Sequence, residues 1–465
     1  MPGGRRRRPC ARASRRARSR RVTEIAPAPA KPVQGDTSLD AASTGSRSLA
    51  DHLREIEFDP RMIGMVAALA VIWLGFNWLS GGAFLTPRNL WNLLVQSASI
   101  SVMACGMVLV IVTRNIDLSV GSMLGFVGMV VGLIQVRLLP ELWGFEHPAT
   151  WVVSLSAAVA LGGVIGLLQG ALIAFLAIPS FIVTLGGLLV WRGAAWWVTQ
   201  GQTIAPMDSR FRRLGGGIEG AIGTSASWAI GLAICAAIAV ASFAARRRRM
   251  RFGFSLRPLW ADFALAGLGC GAVVATVMVA NAYALPAGIA RRLTEARGEI
   301  WPEGGLVIGH GLAVPVLLAL AVGVAITFLA RRLRFGRYVF AIGGNPEAAQ
   351  LSGVNTRKVL MLVYGLMGAL VGISACIATA RLNAATNSAG ALDELYVIAA
   401  AVIGGTSLAG GVGTIAGAML GALVMQSLQS GMVLIGVDTP LQNIVVGLVL
   451  VVAVWLDGLY RKRLG

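Results

Sequence analysis

The sequence predicts an all-α polytopic membrane protein with about 10–12 transmembrane helices, an inverted repeat, and broken or re-entrant segments. Two observations carry this. Charged residues make up 13% of the 465-residue chain against 56% hydrophobic, whereas soluble domains carry roughly 25% charged residues. Many windows also reach the ~20 mostly apolar residues that a bilayer crossing needs. A third feature, the clustering of arginine, orients the helices.

In chain order, apolar segments fall at 61–80, 90–112, 118–136, 150–176, 180–199, 227–245, 259–281, 310–330, 359–380, 396–406, 412–434 and 440–457. The segment 396–406 is too short to cross as a regular helix rising about 1.5 Å per residue, so a broken or re-entrant element is expected there. With twelve spans, Arg246–Arg251, Arg331–Lys358, Arg461–Arg463 and the arginine-rich amino terminus share one side. The positive-inside rule makes that side the cytoplasm and both termini cytoplasmic; Arg210, Arg212 and Arg213 fall on the opposite side and run against the rule.

Ten arginines within the first 21 residues supply much of the formal charge of +19. Residues 1–57, with Pro27, Pro29, Pro32 and a polar run to Ser48, lack a packing pattern and are expected to form a disordered cytoplasmic tail. Attraction to anionic membrane lipid is favoured there over nucleic acid, which is not expected as a partner. No apolar core follows the arginines for about 40 residues, so the tail does not read as a secretory signal.

Several chemistries find no support. The three lysines, Lys31, Lys358 and Lys462, end no phosphate-binding loop, so ATP hydrolysis is not expected within this chain. His52, His147 and His310 are isolated, and Cys10, Cys105, Cys235, Cys270 and Cys376 lack paired spacing; no metal site, disulfide framework or catalytic residue is indicated. Ion-coupled transporters keep titratable groups within the bilayer, yet Asp117 and the Asp393-Glu394 pair lie at predicted span ends, not centres, and Asp393 and Glu394 read as solvated end residues.

Uncharged hydrogen-bonding side chains do occur within spans: Gln96, Gln169, Thr184, Asn387, Gln426, Gln429 and Asn443. They suit a neutral hydroxylated ligand, or hydrogen bonds between helices. Trp191, Trp196 and Trp197 could stack on a sugar face or belong to an interfacial belt. The glycine-rich run Val402–Gly421 reads as a helix break followed by a tightly packing face, with Gly413, Gly417 and Gly421 four residues apart. Irregular backbone at membrane depth must be buried or line a cavity. Asp117, Ser119, Gln169, Thr184, Asn387, Gly404, Gly405, Thr406 and Asn443 are therefore the candidate path or gate. Gly106–Gly121 and Gly372–Ala400 share the order apolar helix then polar turn, in opposite predicted orientations, as in an inverted repeat.

Between two apolar spans, Arg331–Lys358 contains a short helix. Gly343 and Gly344 release the preceding run, Asn345 is a fitting N-cap, Pro346 suits the first turn, Glu347 complements the dipole, and Gly353 stops the helix. Ala348 and Ala349 give it a low profile. So short a helix needs a membrane surface or a partner to hold it.

Four stretches resemble a known family. Tyr338-Val-Phe-Ala-Ile-Gly-Gly-Asn-Pro-Glu-Ala-Ala-Gln-Leu-Ser-Gly-Val-Asn355 contains the Glu-Ala-Ala-x-x-x-Gly core of the cytoplasmic loop in permease subunits of bacterial ABC importers. With Asn115-Ile-Asp-Leu-Ser-Val-Gly-Ser122, Pro179-Ser-Phe-Ile-Val-Thr-Leu-Gly186 and Val402-Ile-Gly-Gly-Thr-Ser-Leu-Ala-Gly-Gly-Val-Gly413, it resembles the ribose/xylose-type branch over about residues 58–463. The extra apolar pair near 246–309 and Ala453-Val-Trp-Leu-Asp457 are similar to xylose-type members. Two departures stand out: no Leu-Pro follows the loop motif, and the arginine tail lies outside the pattern.

The resemblance implies a permease domain at 58–463 in the bacterial inner membrane, working as a homodimer with an extracytoplasmic sugar-binding protein. It implies no cofactor in this chain; ATP and Mg would sit on a nucleotide-binding ATPase subunit. That subunit would receive the loop 331–358 through Gly343, Gly344, Asn345, Pro346, Glu347, Ala348, Ala349 and Gly353. The cargo would be a monosaccharide, D-xylose or a related pentose. The alternatives are an ion-coupled or facilitative sugar transporter acting alone, and a membrane scaffold working through its arginine tail.

Overall fold

The computed structural model describes residues 60–462 apart from 255, 297, 299, 300, 303 and 304; the arginine-rich tail expected to be disordered lies outside the described residues, as does Arg463. The helices are α1 (Pro60–Leu79), α2 (Pro87–Val112), α3 (Val120–Trp143, continuous through a π-turn at Ile134–Leu138), α4 (Thr150–Phe175) and α5 (Ser180–Thr199). A single turn, α6 (Ser209–Arg212), precedes α7 (Thr224–Arg251), α8 (Leu259–Ala282), α9 (Ala287–Ala296) and α10 (Val314–Arg332). Then come α11 (Arg334–Gly344), α12 (Pro346–Leu351), α13 (Thr356–Leu382), α14 (Asp393–Ile403), α15 (Ile415–Leu434) and α16 (Thr439–Lys462). Among the described residues, ten helices are long and apolar enough to cross a membrane. The only strand-like features there are isolated antiparallel bridges such as Ile204 to Ala385.

α2 is the axis of the bundle. Its second half is almost wholly apolar, as a helix segment surrounded by others should be, and is buried without interruption from Ile100 to Val112. α13 crosses beside it, with Gly106 of α2 receiving the Met367 and Leu370 side chains. α13 also meets α4 in the tightest seam of the molecule. Gly162, Gly166 and Gly170 line one face of α4, and Gly365, Gly368 and Gly372 line the facing side of α13. A methyl group on Gly162 would collide with the Gly368 carbonyl, and one on Gly368 with the Gly162 carbonyl. Lipid tails are as apolar as leucine, so helices in a bilayer associate through this close backbone approach.

Two polar coils interrupt the bundle where an inverted repeat was expected. After α2 the chain runs through 113–119 before α3 begins, and after α13 it runs through 383–392 before α14 begins. The starts of the two helices meet: a methyl group on Gly121 would strike the Gly390 carbonyl and the Glu394 carboxylate, and one on Gly390 the Gly121 carbonyl. α2 packs on α15, α13 on α4, α3 on α5 and α14 on α16, so the partners correspond pairwise between the halves. The expected short segment 396–406 is α14, eleven residues long, which enters from this meeting point.

Three expectations are corrected. Glu394 is not solvated: it is 7% exposed, because the helix start it occupies lies inside the bundle, where Asp117 is also buried. Gly413 does not continue the face of Gly417 and Gly421, since α15 begins only at Ile415. The 331–358 interruption holds two helices, α11 and α12, and Gly343 and Gly344 close α11 rather than precede a lone helix.

Candidate substrate cavity and docking helix

A cavity of about 370 Å³ lies between α2, α13, α15 and the coil before α14, within the ~300–1,000 Å³ range of small-molecule sites. From α2 it takes Asn89, Asn92, Gln96 and Ser99, and from α15 Gln426, Gln429 and Ser430. Arg381, near the end of α13, and Asp393, opening α14, supply its charges. Helical spacing explains the lining: Asn89, Asn92, Gln96 and Ser99 recur every three or four residues and so share one face.

Part of this wall is fixed by its own bonds. Gln426 Nε2 donates to Gln96 Oε1 at 3.0 Å, and Asn89 Nδ2 donates to the Phe84 carbonyl at 2.8 Å. Ser99 and Ser374 hydroxyls lie 2.6 Å apart. The amides that remain offer both donors and acceptors to a ligand rich in hydroxyls.

The sequence-derived candidates lie elsewhere, mostly in a second cluster. Asp117 Oδ1 accepts from the Ser119 amide at 2.9 Å and from its hydroxyl at 2.6 Å, and Gln169 lies 3.1 Å from the same hydroxyl. Thr184 Oγ1 donates to the Ser180 carbonyl at 2.9 Å and reaches the Ile116 carbonyl at 3.4 Å. All four side chains are buried. Asn387 belongs to the re-entrant coil, where Arg192 donates to its carbonyl at 2.9 Å and to that of Ala389 at 2.8 Å. Gly404, Gly405 and Thr406 form the break after α14, with Gly404 against Gly417 and Thr406 buried. Asn443 stands alone on the exposed side of α16.

Of the polar residues read from the sequence, Gln96, Gln426 and Gln429 face the cavity. Asn89, Asn92, Ser99, Arg381 and Asp393 are added by the structure. The three- and four-residue spacing along α2 was the available signal for the first of these; nothing in the sequence brings Arg381 to Asp393.

The candidate docking element is built as its residues dictate. Asn345 Oδ1 accepts from the Ala348 amide at 3.0 Å, Pro346 takes the first turn, and Gly353 ends the run at φ +83°. Ala349 packs inward, whereas Leu351 is 90% exposed. Arg114, just past α2, donates to the carbonyls of Gly343 and Gly344 at 2.8 and 2.7 Å, and the Gly411 amide donates to the Val112 carbonyl at 3.0 Å. The end of α2, the root of α12 and the glycine-rich break thus converge.

Spanning helices, two interrupted crossings and a polar cavity among them define a membrane transport subunit. The sequence matches the family described as branched-chain amino acid transport system / permease component over residues 89–290 and 268–454, and the chain belongs to that family. Among individual proteins it is similar to the xylose transport system permease protein of Escherichia coli, 38% identical over 399 residues, covering 86% of this chain and 92% of the relative. The protein of the same description from Haemophilus influenzae is 36% identical over 405 residues, covering 86% and 96%. The ribose import permease protein of Escherichia coli is 32% identical over 374 residues, covering 80% and 87%. No solved structure gives a significant match.

Proposed function

We propose that this chain is the membrane-spanning subunit of a bacterial ATP-driven monosaccharide importer, with D-xylose or a related pentose as cargo. The observation that carries the reading is the cavity wall of uncharged amides and hydroxyls with one arginine and one aspartate. Such a wall hydrogen-bonds sugar hydroxyls without selecting for an ion. The relatives' names, xylose transport and ribose import, support the same substrate class.

In this reading a separate ATPase subunit, carrying ATP and Mg, seats α12, with Leu351 as its exposed apolar contact. A sugar-binding protein delivers cargo on the opposite side, and two copies of the chain form the translocating unit. The termini are cytoplasmic. In this reading the Asp117, Ser119, Gln169 and Thr184 cluster, with Asn387 and the Gly404–Thr406 break, serves as the gate at the floor of the cavity. Closure of the ATPase pulls α12 and shifts the break, opening the floor as the mouth shuts.

Uptake of a panel of pentoses and hexoses into vesicles holding the reconstituted complex tests this. ATP-dependent uptake requiring all three components, with xylose preferred, is expected. Uptake by the chain alone would instead make it a facilitator or an ion-coupled carrier.

A further inference from the structure

We infer that Arg192 is a positioning residue for the substrate cavity: from within α5 it holds the coil 383–392 where that coil forms part of the cavity wall. The consequence for transport rests on the sugar-importer reading, whereas the clamp stands on geometry alone. Arg192 is the only charged residue of α5 and lies seven residues before its end. A cation at that depth in a spanning helix is costly unless it faces the bundle interior and finds partners there. Its partners are backbone oxygens. Arg192 Nη1 donates to the Asn387 carbonyl at 2.9 Å and to the Ala389 carbonyl at 2.8 Å. Both belong to an irregular stretch inside the bundle, where backbone groups must be satisfied within the protein. The Arg192 charge also reaches the Asp393 and Glu394 carboxylates at the start of α14.

α3 supplies the other side of the clamp. Gly121, Gly125, Gly128 and Gly132 follow one another at three- and four-residue spacing and so share a face. A methyl group on Gly125 would press on the Ala389 carbonyl and the Arg192 guanidinium, and one on Gly132 on the Ala385 side chain. Trp191 stacks on Phe126 with ring centroids 5.4 Å apart, which sets the adjacent Arg192 over Gly125. The coil therefore lies in a glycine trough with the guanidinium across its middle. Its beginning is tied separately: Ile204 and Ala385 exchange backbone bonds at 3.0 and 2.9 Å, and the Met207 amide donates to Asn383 Oδ1 at 2.9 Å.

What the coil carries gives the clamp a role. Arg381 lies just before it and Asp393 just after it, and these are the charged residues of the cavity wall. Ala389, whose carbonyl Arg192 holds, lines the cavity itself, as does Gly390. Arg192 is not among the lining residues. It acts on the cargo through the coil and not by contact, by fixing how far Asp393 stands from Arg381.

Two measurements test this: hydrogen–deuterium exchange of the full chain in nanodiscs, and sugar delivered per ATP hydrolysed by the reconstituted complex. A loss of folded protein lowers uptake and hydrolysis in proportion, whereas a misplaced wall lowers their ratio. Arg192→Met is expected to speed exchange across residues 383–392 about 10-fold or more, the scale of a hydrogen bond to a charged group. The sugar-to-ATP ratio should fall severalfold with it. Arg192→Lys keeps the charge and the donors and should recover most of both readouts. Gly125→Ala wedges a methyl group against the clamped carbonyl and should reproduce both changes with Arg192 in place; it carries the test by itself if Arg192→Met does not fold. Unchanged exchange over 383–392 in these variants would overturn the clamp, and an unchanged sugar-to-ATP ratio would overturn the positioning role. An unaltered complex that moves no sugar would sink the importer reading instead, with the exchange result still deciding for or against the clamp.

Discussion

The α4–α13 seam and the α7–α8 hairpin are both pairs of long apolar helices, yet they hold together by opposite means. In the seam, glycine faces glycine and the backbones touch, so the packing admits no added atom at Gly162 or Gly368. In the hairpin, Gly267 and Gly271 face open space, and both helices carry outward-facing residues such as Leu232, Phe243 and Leu268. The hairpin is closed instead by an ion pair at one end, Arg246 to Asp262, and by the Trp91, Tyr283 and His310 rings at the other, with Tyr283 and His310 stacked 4.0 Å apart. Apolar character alone therefore does not distinguish a helix that forms the transport core from one attached at its edge; glycines that meet the backbone of a neighbouring helix do.

The sharpest way to break this contrast is Gly368→Leu. Overpacking costs about 1–3 kcal/mol where side chains can shift, and here the obstacle is backbone. Loss of monodisperse protein in detergent, or a fall in melting temperature of ten degrees or more, is expected by size-exclusion chromatography and thermal scanning. Gly271→Leu, on the hairpin, should change stability by no more than about 0.5 kcal/mol. Similar behaviour of the two variants would dissolve the distinction.

Next in size, Arg381→Gln and Asp393→Asn should each lower sugar uptake about 10- to 100-fold while leaving the melting temperature within a few degrees. That range follows from the ~1.5–3 kcal/mol of a hydrogen bond to a charged group. Comparing uptake with melting for each variant separates a role in the cavity from one in folding. Asn345→Ala removes the cap of α12 and about 1 kcal/mol with it; weaker co-purification of the ATPase, with the spanning bundle still intact, is the expected result.

The smallest effect concerns the ring cluster. Burial lowers the His310 pKa below the usual histidine value, and the bond to the Tyr283 carbonyl offsets only part of that. The folded state therefore favours neutral His310, and its contribution to stability is present above the ordinary histidine pKa and declines as pH falls through that value toward the lowered one. Melting measured at descending pH should show the hairpin end loosening on acidification, and His310→Phe should flatten that dependence.

Much of this architecture was legible from residue chemistry. Apolar windows located the spans to within a few residues, and Asn345, Pro346 and Gly353 specified α12 because capping is local. The two coils that interrupt the bundle showed as polar turns after apolar helices. What could not be read was depth. Asp117 and Glu394 sit at helix starts, which in sequence look the same whether the start faces water or another helix start inside the bundle. The cavity was half visible for the same reason: Gln96, Gln426 and Gln429 announce themselves as polar residues in apolar helices, whereas Arg381 next to Asp393 requires the coil 383–392 to fold back. The α4–α13 seam is as regular in sequence, Gly162-x-x-x-Gly166-x-x-x-Gly170, as the glycines of 402–421, but such spacing does not say which helix it faces.

The contact between Arg114 and the carbonyls closing α11 sets how far a mechanical signal has to travel. One guanidinium joins the root of the docking helix to a point only three residues before Asp117, where the first interrupted crossing begins. Force applied at α12 thus need not be relayed through the length of a spanning helix. Under the proposed seating of an ATPase at α12, the signal passes through one side chain to the interruption, and the long helices serve as walls.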